Sequence, residues 1–194
     1  MKLLKWALIA LTVAGAGLTH AADLQVQADP DRAVIESEEL LNNPHFAKEL
    51  ACLTKNIYYE AGSEPFEGKV AVANITVNRM NDERYPKTIC GVVQQKTKID
   101  QKFVCQFSWV CEKRLSMSTL SEKYLEALRV AKLVLLEGYY IPRLDNSFNF
   151  HAIHVNPGWG KKRVAKIGNH VFYADKKKPE QLPVLLSGPT VQSF

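Results

Sequence analysis

No Gly-x-Ser-x-Gly elbow occurs in this chain of 194 residues, so a Ser-His-Asp hydrolase has no nucleophile turn to build on. No Cys-x-x-Cys pair occurs, which removes a common zinc-binding spacing. No segment repeats, which excludes a repeat architecture. The one long apolar run, Trp6 to Leu18, is short for a membrane span of about 20 residues. Strong charge is missing too. The net charge of +5 falls by two, to +3, without Lys2 and Lys5. Basic residues gather at Lys161, Lys162, Arg163, Lys166 and Lys176 to Lys178, but few aromatics interleave with them. That pattern fits solvated loops and argues against a nucleic-acid partner. Mild basicity suits an anionic polymer.

What is present begins with an export signal. Lys2 and Lys5 precede the apolar run, and Thr19-His20-Ala21 ends in a small residue. Residues 1–21 are read as a signal peptide, leaving no stable membrane insertion after cleavage; the alternative is an uncleaved N-terminal anchor, and either way the rest of the chain is exported. Export makes disulfides the expected state of the four cysteines. Of three possible pairings, Cys52–Cys90 with Cys105–Cys111 is favoured. The second closes a short loop and the first ties an early helix to a later segment.

Residues 22–44 read as a polar arm, 45–174 as one domain, and 175–194 as a flexible tail. Asn43-Pro44 starts a helix over about 45–60. Gly62 is a plausible stop and Ser63 a candidate N-cap for a second helix over about 65–81, with Phe66, Val70, Ala73 and Val77 as its apolar stripe. So short a turn makes the helices neighbours, placing Asn74, Asn78 and Arg79 within reach of the first. A short helix is expected over 88–95 and irregular chain over 96–120. Ser121 caps a third long helix with stripe Leu125, Leu128, Ala131 and Leu135, ended by Gly138. Strands are expected over 146–154 and, around Gly168-Asn169, over 164–173. Helices beside a small antiparallel sheet make an α+β fold.

Glu60 is the informative residue. Phe46, Leu50, Leu53 and Ile57 mark one helix face, and Glu60 is the next position on it. A carboxylate there loses solvation unless it is paired or protonated. A carboxyl protonated near neutral pH suits a general acid. The alternative is a structural pair with Arg79.

Several ordered motifs carry a resemblance. Ile57-Tyr58-Tyr59-Glu60-Ala61, Glu64-Pro65-Phe66-Glu67-Gly68, Val70-Ala71-Val72-Ala73 and Val77-Asn78-Arg79 come first. Ile89-Cys90-Gly91-Val92-Val93, Cys105-Gln106-Phe107-Ser108-Trp109, Phe150-His151-Ala152, Pro157-Gly158-Trp159 and Ile167-Gly168-Asn169-His170-Val171-Phe172-Tyr173 follow. Together they resemble the SleB/CwlJ-type cell-wall hydrolases over about residues 50–174. The resemblance implies a lysozyme-like fold related to lytic transglycosylases. It implies cleavage of the β-1,4 bond between N-acetylmuramic acid and N-acetylglucosamine. Glu60 would protonate the leaving oxygen, then deprotonate the muramoyl C6 hydroxyl as an anhydro ring closes. One carboxylate suffices for this, whereas ordinary glycosidases use two. Glu64 and Glu67 are the nearest acids, and a helix N-terminus explains both. The chain departs from the family at Gly62-Ser63, where many members carry Arg, and residues 95–104 look more variable.

Trp109, Phe107, Trp159 and Tyr173 are candidates to stack on sugar faces or to pack the core. Gln106, Ser108 and Asn78 could bond glycan hydroxyls or cap backbone. His151 lines a cleft or is structural. No cofactor or metal is implied, and the partner is a peptidoglycan glycan strand met by a monomer in the periplasm or at the wall. One rival is a zinc-dependent N-acetylmuramoyl-L-alanine amidase using His151, His154 and His170. Residues 151 and 154 would point to opposite faces of a strand, a poor chelating pair. The other rival is a non-catalytic peptidoglycan-binding module with a structural Glu60.

Overall fold

The computed structural model describes residues 38–112 and 116–175. The expected signal peptide, the expected C-terminal tail beyond Asp175 and most of the polar arm lie outside them. Helix α1, Pro44–Ala61, starts where Asn43 Oδ1 accepts from the amides of His45 and Phe46. Its buried face carries Phe46, Leu50, Leu53 and Ile57, as the spacing predicts. Gly62 follows in right-handed helical conformation rather than as a left-handed stop. What requires glycine there is space. A Cβ would stand 2.3 Å from the Tyr58 carbonyl oxygen and 1.8 Å from Lys123 Cε.

Helix α2, Phe66–Asn81, is preceded by Pro65, and no side chain caps it, so Ser63 is not its cap. The helix runs through the centre of the molecule. Val70, Ala71, Val72, Ala73 and Ile75 are all fully buried, so the expected stripe was too narrow. Burial on every side removes the amphipathic signal from a sequence. Lys69 is buried with them. Its ammonium donates to the Glu64 carbonyl at 2.6 Å and pairs with Glu126 at 2.8 Å.

Helix α3, Ile89–Val93, is capped by the Thr88 hydroxyl, which accepts from Gly91 N. The Cys52–Cys90 disulfide ties it to α1, and the buried Glu49 carboxylate accepts from Cys90 N at 3.1 Å. Residues 96–105 are not irregular. Strands β1, Lys96–Ile99, and β2, Lys102–Cys105, form a two-stranded hairpin. Its turn, Asp100-Gln101, has both residues at positive φ. A 3-10 turn at Ser108–Val110 follows, and Cys105–Cys111 closes around it.

Helix α4, Glu122–Leu136, starts at Ser121, whose hydroxyl accepts from Tyr124 N. It buries Ala127, Val130, Ala131, Val134 and Leu135 against α1 and α2. The expected stripe is misphased at one end, since Leu125 is exposed. Strands β3, Ser147–Ala152, β4, Lys162–Ile167, and β5, His170–Ala174, form an antiparallel sheet in the order β3-β5-β4. Lys162, Arg163 and Lys166 therefore lie on an edge strand rather than in loops, where lysines discourage edge pairing. Phe172 on the central strand is fully buried. The whole is α+β: a helical lobe with a small sheet against α2.

Candidate active site

Asn56 organises the face of α1 that ends in Glu60. It is fully buried one turn before Glu60. Its Nδ2 donates to Thr76 Oγ1 at 3.0 Å, and its Oδ1 accepts from Trp109 Nε1 at 3.1 Å. The first bond fixes where α1 crosses α2. The second pins the indole of the 3-10 turn to α1. Tyr59 stacks on the same indole with ring centroids 4.6 Å apart. Trp109 thus touches two adjacent faces of α1, one leading to Glu60 and one to Lys55 and Tyr59. Sequence reasoning missed Asn56 and Tyr59. Asn56 follows Thr54 and Lys55 in a polar run, so nothing in the sequence singled it out.

Glu60 is partly buried in the last turn of α1. Burial pushes its carboxyl up from the ordinary 4.5 to about 7. The positive charge of Arg79 pulls the other way, and the negative charge of Glu112 adds to the rise. The carbonyl end of the helix also disfavours a negative charge. Desolvation wins because Arg79 makes no ion pair with Glu60 among the described residues. Arg79 is committed elsewhere. Its Nε donates to the Phe148 carbonyl at 2.8 Å, and its guanidinium lies over the rings of Phe107 at 5.3 Å and Tyr85 at 5.7 Å. With its oxygen turned to the guanidinium, the Gln106 amide accepts from both terminal nitrogens at 3.1 and 3.2 Å. The alternative of a structural Glu60–Arg79 pair is thus reduced to a through-space influence, with no bond between them.

The two acids that follow Glu60 in sequence, Glu64 and Glu67, are occupied. The Glu64 carboxylate accepts from the backbone N of Asn169 at 2.8 Å and from its Nδ2 at 3.1 Å. This fastens the α1–α2 turn to the β4–β5 turn. Gly168 permits the approach, for its φ is +56° and a Cβ there would lie 2.0 Å from Glu64 Oε2. Glu67 pairs with Arg143 at the surface.

The candidate sugar-contacting residues divide three ways. Asn78 is structural, since its amide donates to the carbonyls of Leu144 at 2.9 Å and Ser147 at 3.0 Å. Asn74 likewise serves the Tyr139–Ile141 loop rather than α1. Phe107 is buried beneath Arg79, so it packs the core. Gln106 and Ser108 are exposed, with Gln106 oriented on Arg79. Trp109 is half-buried against Asn56 and Tyr59 of α1. His151, Trp159 and Tyr173 form a separate aromatic cluster on the sheet, with centroid distances of 5.2 to 5.7 Å. His151 Nδ1 must donate to the Ala152 carbonyl at 2.9 Å, so in the neutral ring Nε2 accepts from the Tyr173 hydroxyl, also at 2.9 Å. Trp159 remains 40% exposed.

Strand β3 ends at Ala152, which leaves His154 in the following turn. His170 pairs with Ala152 and Val171 with His151, so His151 and His170 project from opposite faces of the sheet. Among the described residues no group of His, Cys, Asp or Glu is arranged to hold a metal. No described helix is long and apolar enough to cross a membrane.

Spore cortex-lytic enzymes of Bacillus subtilis (strain 168) and Halalkalibacterium halodurans are each 26% identical to this chain. The first match runs over 126 residues, covering 64% of this chain and 37% of the relative. The second runs over 147 residues, covering 75% and 40%. The chain therefore spans about two fifths of the length of these curated relatives. The crystal structure of the catalytic domain of the Bacillus cereus SleB protein superposes with a TM-score of 0.50 at 21% identity, covering 69% of this chain and 95% of that one. The architecture is shared, in keeping with the expected lysozyme-like fold. The pattern of the cell wall hydrolase family matches residues 63–173, more than half of the length, and this chain belongs to that family.

Proposed function

We propose that this protein is a peptidoglycan-cleaving glycosidase of the lytic transglycosylase type, with Glu60 as its general acid and base. The observation that carries this reading is a single carboxyl held near pKa 7 while its neighbours Glu64 and Glu67 are engaged elsewhere. At neutral pH Glu60 is about half protonated, so it can donate to the glycosidic oxygen. The resulting carboxylate, still disfavoured by its surroundings, recovers a proton from the muramoyl C6 hydroxyl. That oxygen attacks C1 as the glycosidic bond breaks, giving a 1,6-anhydro end without water. Trp109, fixed by Asn56 and Tyr59, is the sugar-facing aromatic beside Glu60, and the His151–Trp159–Tyr173 cluster supplies a second stacking surface. The domain that acts runs from about residue 45 to 174, in the periplasm or at the cell wall, as a monomer.

The test is digestion of purified peptidoglycan followed by mass spectrometry of the soluble products. Anhydro-muramoyl ends are expected. Reducing ends would overturn transglycosylation and give Glu112, the other acid whose charge reaches Glu60, the role of activating water. Free peptides with uncut glycan would overturn the glycosidase reading itself. Glu60→Gln should lose nearly all cleavage while remaining folded.

A further inference from the structure

A cavity of about 500 Å³ opens beside the Tyr59–Trp109 stack, on the face of α1 next to the one that carries Glu60. Its walls include Lys55, Tyr59, Gln94, Lys96, Trp109 and Glu112. The volume lies in the range of small-ligand sites. Its position is built rather than incidental. Lys55 and Tyr59 stand one turn apart on α1, Gln94 follows α3, and Lys96 opens β1. The Cys52–Cys90 and Cys105–Cys111 disulfides brace the segments around it.

The chemistry of the lining is mixed. Two lysines bring ammonium groups, and neither makes an ion pair among the described residues. Glu112 brings one carboxylate, Gln94 an amide, and the Tyr59–Trp109 stack an apolar floor. A bare sugar offers no charge to match this set. A simple anion would meet Glu112 as repulsion. A short peptide with free carboxylates and a free amine matches all of it. Because Trp109 touches both faces of α1, an occupant here sits beside, not on, the strand that reaches Glu60.

We propose that this cavity binds the peptide branch of the glycan strand, with Lys55 and Lys96 taking its carboxylates and Glu112 its amine. The proposal rests on the glycosidase reading and adds a specificity site to it. Binding there holds the branched sugar in register while Glu60 acts on the backbone. The two lysines determine specificity and take no part in bond cleavage.

Two measurements test it. The first compares kcat/KM on intact peptidoglycan with kcat/KM on glycan strands stripped of peptide by an amidase. Wild type should favour the branched substrate, and the Lys55→Glu, Lys96→Glu double variant should lower that preference about tenfold. A preference unchanged in the double variant, or no preference in wild type, overturns the proposal. The second is calorimetric titration with the soluble tripeptide alanyl-γ-glutamyl-diaminopimelate. Wild type and Glu60→Gln should bind it alike, and the double lysine variant at least tenfold more weakly. No binding by wild type, or equal binding by the lysine variant, overturns the proposal whether or not glycan is cut. If the tripeptide binds as expected and no glycan is cleaved, the cavity assignment stands and the glycosidase reading falls.

Discussion

Glu60→Gln should make the protein more stable as it makes it inactive, and only above about pH 4.5. Folding raises the Glu60 pKa from 4.5 to about 7, chiefly by burial. The folded protein therefore holds a proton that the unfolded chain has released between those values. Stability is unaffected well below 4.5, declines as pH rises from 4.5 to about 7, and levels off above. At about 1.4 kcal/mol per pH unit the full loss is about 3 kcal/mol, an upper value because Glu60 is only partly buried. Glutamine has nearly the same shape and no charge to desolvate. The variant should exceed wild type at pH 8 by up to about 3 kcal/mol, roughly 10 °C in Tm for a domain of this size. At pH 4 the two should agree within about 0.5 kcal/mol. Thermal and urea unfolding followed by circular dichroism at both pH values measures this. A difference that is zero at pH 8, or equal at both, refutes the claim that Glu60 is held protonated by its surroundings.

The same carboxyl should set the basic limb of activity. Cleavage, followed as loss of turbidity of a wall suspension, should fall about tenfold per pH unit above 7. A rate flat to pH 9 would contradict an acid of this pKa. Trp109→Phe leaves the buried Asn56 Oδ1 without its donor and should destabilise by about 1–3 kcal/mol in urea, while raising KM for wall. Arg79→Lys keeps the charge but loses the Nε bond to Phe148 and the fork on Gln106, so about 2–3 kcal/mol should go; stability like wild type would show these contacts to be idle. Cys52→Ser with Cys90→Ser opens a span of 38 residues and should cost about 4 kcal/mol, against about 2 for the span of 6 at Cys105–Cys111. Glu67→Gln removes a surface pair with Arg143 and should leave turnover intact and stability within about 0.5 kcal/mol. A large loss of turnover would restore Glu67 as a second catalytic acid.

Much of the helical lobe was legible because its signals are local. Asn43 and Ser121 accept from amides two or three residues on, so a cap announces itself over a few positions. The α1 stripe read correctly because that helix has one buried face. Helix α2 read poorly because it has no exposed one. The β1–β2 hairpin was illegible because Ile99, Phe103 and Val104 are exposed, leaving no buried face to impose alternation. Its Asp100-Gln101 turn also lacks the glycine that usually marks positive φ. In the site, Asn78 looked like a sugar ligand and proved a clamp on two carbonyls, since nothing in its neighbours names partners 66 and 69 residues away.

A carboxylate at the end of an apolar helix face, and the order of motifs that marks the family, are both written in the chain. Both depend on spacing along one helix or on residue identity, which the chain carries without folding. What that carboxylate meets depends on the packing of distant segments. Packing gave Arg79 to Phe148, Gln106 and two rings, so that burial outweighs the nearest positive charge. It spent Glu64 on Asn169 and Glu67 on Arg143. It set Trp109 on Asn56 and Tyr59, in the wall of the cavity that Lys55 and Lys96 also line. A pKa, a pairing and a cleft depend on which distant groups share a low-dielectric space, and that follows from packing.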